Sequence, residues 1–162
     1  MRTSSLTSSI RRLLFAGLVF AVPALAAEPA PVIVKLASLS AMPEAVQKTV
    51  RTELAGGTIR GLAKETDAEG KVTYEVEMRI KGLNKDVSLG EDGTVLVSEQ
   101  QMSLAELPSP VRETVLKSAG KRKIRLIESV TKLGKLEYYE AHVATGKTLT
   151  EIVVGPDGKV IP

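Results

Sequence analysis

The chain has 162 residues with 22 basic and 19 acidic side chains, a single histidine and no cysteine. Three of the basic residues, Arg2, Arg11 and Arg12, lie in an amino-terminal leader, so its removal leaves 19 basic against 19 acidic side chains and a near-neutral remainder. The basic pI therefore gives no case for nucleic-acid binding, and the missing cysteine rules out both a disulfide-stapled fold and a Cys–His nucleophile pair.

Leu13 to Leu25 is an uncharged run behind those arginines, broken by Pro23 and closed by Ala24-Leu25-Ala26. A basic start, a short apolar stretch and a small-x-small end read as a secretory signal peptide over residues 1–26, cut after Ala26 or Ala27. The run is shorter than the roughly 20 residues a spanning helix needs. No stable membrane anchor is expected after cleavage, and there is no cysteine to carry a lipid. The stretch Leu13-Leu14-Phe15 is a poor match to twin-arginine export. The remaining chain carries 9 basic and 12 acidic residues over 27–100, and 10 and 7 over 101–162, so its halves are of opposite sign.

Residues 27–37 read as an extended linker with alternating Ala and Pro, in which Val32-Ile33-Val34 is suited to an edge strand. Beyond it the sequence repeats. Residues 38–96 set against 103–161 give fifteen identities in 59 positions, among them Pro43/Pro108, Thr49/Thr114, Tyr74/Tyr139, Glu75/Glu140 and Gly93/Gly158. Chance would give about four. Two units are expected, 38–99 and 103–162.

Each unit opens with a helix. Ser103-Leu-Ala-Glu106 has capping-box spacing, and Pro43 and Pro108 fall where a missing N–H is tolerated. Val46, Val50 and Leu54 form one apolar stripe, matched by Val111, Val115 and Ala119, and Gly56-Gly57 and Gly120 end the helices. The period then changes to two: Tyr74, Val76, Met78 and Ile80 alternate with Thr73, Glu75, Glu77 and Arg79, as Tyr139, Ala141 and Val143 do with Tyr138, Glu140 and His142. The glycines at 90, 93, 155 and 158 predict hairpins joining Asp86–Leu89 to Thr94–Ser98 and Thr150–Val154 to Lys159–Ile161. Ile59–Glu65 and Ile124–Val130 supply the strand before each central one, with no clear apolar register. The expected fold class is α+β: two tandem repeats, each one helix packed on a three- to four-stranded antiparallel sheet. Tyr74 and Tyr139 then face the helices, and the opposite sheet face stays wet.

The order of a Leu-x-x-x-Pro helix, a central Tyr-Glu strand and an Asp-Gly-x-Val hairpin, in an exported cysteine-free chain, resembles PepSY and PepSY-like domains. These are similar in fold to the tandem-repeat β-lactamase inhibitor proteins. The resemblance covers about residues 36–162. It implies a non-catalytic extracytoplasmic module whose partner is another exported protein, such as a peptidase or other hydrolase, engaged through the open sheet face and loops. The chain lacks the disulfides of those inhibitors and has only five aromatic residues, so β-lactamase inhibition is not carried over. The competing expectation is a structural or sensory domain that holds a small ligand between the repeats.

Catalytic readings find little footing. His142 is the single histidine, and a lone strand histidine is usually solvated. A metal would have to use it with Glu140 or Glu77, a set poor in carboxylates and free of sulfur. Glu75 and Glu77 on a wet face read as solubility and edge protection rather than an acid/base pair. Lys121-Arg122-Lys123 with Arg125 follows a helix end, where cations complement the dipole. No catalytic, metal or cofactor residue is assigned. The expected partner face comprises Glu75, Glu77, Arg79, Tyr138, Glu140 and His142, with Tyr138 as the aromatic that the repeat does not require, since Thr73 holds its place in the first unit.

Overall fold

The computed structural model describes residues 30–162; the signal peptide assigned to 1–26 lies outside them. Eight strands follow one another as β1 (Val32–Lys35), β2 (Thr58–Thr66), β3 (Val72–Ile80), β4 (Leu83–Gly90), β5 (Val95–Gln101), β6 (Ile124–Lys132), β7 (Lys135–Thr145) and β8 (Thr148–Val154). They form one antiparallel sheet in chain order. Two helices of 11 residues interrupt it, α1 (Glu44–Leu54) between β1 and β2 and α2 (Ser109–Ala119) between β5 and β6.

This overturns the expected fold class. The strands are not divided into two helix-on-sheet repeats; β5 pairs with β6, Val97–Gln101 against Glu128–Lys132, and makes a single, mostly β sheet. The physical reason lies in the edges. Two separate sheets would present four unpaired edges, whereas joining them at β5–β6 leaves only β1 and β8. The short strand expected at Val32-Ile33-Val34 forms and pairs with β2.

Local chemistry sets the rest. Pro43 and Pro108, both with extended backbone, occupy the residues just before the two helices, where no N–H is required of them. The Ser103–Glu106 capping box closes a separate 3-10 turn over Leu104–Glu106, with the Ser103 N–H donating to Glu106 Oε2 at 2.6 Å, and α2 starts only at Ser109. Val46 and Val50 on α1, and Val111, Val115 and Ala119 on α2, are buried. They meet two apolar clusters on the same side of the sheet, one containing Tyr74, Val76, Met78, Val87 and Leu89, the other Ile127, Tyr139, Ala141, Val143 and Val154. Tyr74 and Tyr139 lie on the helix-covered face, as the alternation predicts, at 6% and 8% exposure.

The recurrence in sequence is visible in matching contacts. Thr49 Oγ1 donates to the Gly93 carbonyl at 2.8 Å, and Thr114 Oγ1 to the Gly158 carbonyl at 2.7 Å. Each bond ties a helix to a hairpin turn. The strand expected at Lys159–Ile161 does not form: only Val160 bridges to Val154. Its counterpart β5 has β4 on one side and β6 on the other, while Lys159–Ile161 has β8 alone.

Candidate functional site

The cross-strand register decides what stands on the helix-free face. Glu75 pairs with Ser88, Glu77 with Asp86 and Asp86 with Glu99, and Glu128 pairs with Glu140. Directly paired residues point to the same side, so Glu75, Glu77, Asp86, Glu99, Glu128 and Glu140 run across β3 to β7 as one acidic row. Three of its rungs set like charges opposite one another, an arrangement that by itself destabilises a sheet. Leu126 and Glu151 flank His142 from β6 and β8.

The expectation that this face stays wet is corrected. Glu75, Glu99, Glu128 and His142 are buried, the last two to 1% and 3% exposure. Glu77, Tyr138 and Glu140 are half-buried, and Arg79 alone of the expected partner face is exposed. The reason is crowding by long side chains on adjacent strands, seen at Gly61, where a Cβ would stand 2.9 Å from Glu77 Oε2. A side chain opposite Glu77 on β2 would make that carboxylate move aside.

His142 is thus no solvated strand histidine. Its Nε2 stands 3.5 Å from Glu128 Oε2 and 3.9 Å from Glu140 Oε2, and its Nδ1 stands 3.7 Å from Glu151 Oε1. Glu77 is not brought to it. The carboxylate-poor surroundings expected for His142 are replaced by three carboxylates, and Glu128, Glu140 and His142 have ligand atoms within 4.8 Å of one another, as do Asp86, Glu99 and Glu128. Either group could hold a cation.

Glu75 forms the other end of the row. Burial, and then the charges of Glu65, Glu77, Asp86 and Glu99, push its carboxyl up to about 8. Its Oε2 has no hydrogen-bond partner. Glu75 and Glu77 line a cavity of about 200 Å³ with Lys35, Arg60 and Ala63. Tyr138 packs within the sheet rather than standing free: it is opposite Val130, and Lys132 Nζ lies 5.8 Å from its ring centre. Arg79 Nη1 donates to Asn84 Oδ1 at 3.0 Å.

Sequence reasoning missed Asp86, Glu99, Glu128 and Glu151. The bulge at Arg125 shifts the pairing between Ile124 and Leu126 and hides the alternation that would have put Glu128 beside Glu140. The strand order was the other missing piece, since Glu99 and Glu128 approach each other only because β5 pairs with β6.

No protein-family model matches the chain, and no curated protein matches it by sequence. Solved structures do resemble it. A putative periplasmic protein from Bacteroides eggerthii superposes with a TM-score of 0.60 at 17% identity, covering 75% of this chain and 86% of that one. A BLIP-like protein from Bacteroides fragilis gives 0.56 at 17%, covering 75% and 84%, and a DUF2874 family protein from Bacteroides uniformis gives 0.58 at 16%, covering 74% and 86%. The fold is BLIP-like. Among the described residues no helix is long and apolar enough to cross a membrane.

Proposed function

We propose that the protein is a non-catalytic, exported binding module of PepSY-like type, which uses the helix-free sheet face to hold a basic segment of another exported protein. The acidic row from Glu75 to Glu140, on the face that neither helix covers, carries this reading. The members of this row that reach solvent, Glu77 and Glu140, favour a cationic partner and steer its approach. The Leu-x-x-x-Pro helix and the Asp-Gly-x-Val hairpin support the PepSY-like assignment, and restraint of an extracytoplasmic hydrolase is the role that assignment suggests.

The test is capture from the native envelope by the purified protein, compared with Glu77→Lys and Glu140→Lys. Both residues are half-buried and reach the surface. Capture that falls at least about 10-fold in each variant, and weakens in high salt as screening requires, fits the proposal. Capture indifferent to both charge reversals and to salt would remove the helix-free face as the site. Turnover of any substrate by the pure protein would contradict the non-catalytic reading.

A second reading rests on the cavity beside Glu75: a small ligand with an amine or hydroxyl donor would satisfy the unpartnered Oε2. That cavity sits over β1, β2 and β3; the ligand expected between the repeats would instead fall at an opening of about 300 Å³ at the β5–β6 junction, lined by Gln101, Met102, Arg125 and Leu126. A thermal shift with small polyamines or amino acids that is lost in Glu75→Gln separates this reading from protein capture.

A further inference from the structure

We propose that Glu128, Glu140 and His142 form a binding site for one divalent first-row metal ion, zinc above all, on the helix-free face. The spacing is the first argument. A zinc ion bound through nitrogen and carboxylate oxygen at about 2.1 Å in a tetrahedron sets its ligand atoms about 3.4 Å apart. His142 Nε2 stands 3.5 Å from Glu128 Oε2 and 3.9 Å from Glu140 Oε2. Three protein ligands and an open fourth position would result.

Residue chemistry is the second argument. One imidazole with two carboxylates is a borderline-hard set, suited to zinc or manganese rather than to copper(I), which prefers sulfur. Glu151 Oε1 lies 3.7 Å from Nδ1, on the other nitrogen of the ring from Glu128 and Glu140, which is the place an outer carboxylate takes to orient a metal-bound histidine. The strand framework places all three ligands without loops: Glu128 and Glu140 are paired residues, and His142 follows two positions along β7 on the same face.

A third observation comes from outside the trio. Asp86 and Glu99 make a second set of ligand atoms with Glu128. A cation held by Glu128 and Glu140 would offset the like-charge repulsion at the rung where those two residues pair.

The experiment is calorimetric titration of zinc chloride into the purified protein after chelator stripping, with cobalt(II) absorption as a report of coordination geometry. One equivalent of zinc with micromolar or tighter affinity, a rise in Tm and tetrahedral cobalt bands are expected. Glu140→Gln, which keeps side-chain size at a half-buried position, and His142→Asn should each weaken zinc at least about 10-fold, and Glu151→Gln about 10-fold through the outer carboxylate. Circular dichroism establishes that each variant is folded, and Glu140→Gln serves if His142→Asn is not. No binding heat in the folded parent protein would overturn the site. Loss of binding in Asp86→Asn with full retention in Glu140→Gln would overturn the assignment to His142 and its two glutamates.

Discussion

At the scale of single residues, the sequence distinguishes the two sides of a strand better than it judges what each side experiences. The alternation through Tyr74 and Glu75 is read correctly, but an outward glutamate is solvated only if its neighbours across the sheet are short or distant. Here Ser88 lies opposite and Glu77, Asp86 and Glu99 crowd the same face. That desolvation makes a prediction about pH. The unfolded chain loses the Glu75 proton in the ordinary carboxylate range, whereas the folded protein keeps it up to about 8. The folded state therefore binds more protons between those values, so this group's contribution is fully present below the unfolded value and is lost as pH rises towards 8. Urea denaturation should show stability falling across that window, by at most about 1.4 kcal/mol per pH unit from this one group. Glu75→Gln should flatten the fall. An unchanged slope in the variant would mean that other groups govern it.

At the scale of elements, the two helices and the turns at 90–93 and 155–158 were legible because glycine and proline fix backbone geometry wherever they stand, while the strands before each central one and the hairpins after Ile80, Lys132 and Thr145 were not. In β2 and β6 the pairing slips at Arg60 and Arg125, so residues on either side of the bulge fall on faces that simple alternation misassigns. The identities at Thr49/Thr114 and Gly93/Gly158 acquire a cause only in three dimensions, as the bond that ties each helix to a turn. Gly93 has φ +81°, and a Cβ there would stand 2.6 Å from the Ala45 carbonyl oxygen. Gly93→Ala should cost at least about 2 kcal/mol, from left-handed strain together with displacement of α1. Thr49→Val should cost about 1 kcal/mol for the lost hydrogen bond. Gly70→Ala is the control. It has the same φ of +81° but nothing within 4 Å of the added carbon, so only the backbone cost of about 1–2 kcal/mol remains. Equal losses at Gly93 and Gly70 in chemical denaturation would show that the helix contact contributes nothing.

At the scale of the whole molecule, the duplicated sequence pointed to two units, and it could not reveal that one ladder joins them. Nothing in the period of Val97 to Gln101 or Glu128 to Lys132 states which strand each will meet; the pairing follows from removing two edges. The junction buries two valines on the otherwise acidic face. Val130 is fully buried and Val97 nearly so, and Val130 lies opposite Glu99 on one side and Tyr138 on the other. If the sheet folds as one cooperative body, the amides of Val76 in β3 and Val143 in β7 should exchange with solvent through the same global opening. Val130→Ala removes two buried methyl groups at the seam and should lower the opening free energy at both amides by the same amount, about 1–3 kcal/mol. The two apolar clusters lie apart under their separate helices, so a molecule made of two independent bodies would respond differently. Slower exchange would then survive in the half least dependent on Val130, and a drop confined to Val143 would show that β5 and β6 are paired without being thermodynamically coupled.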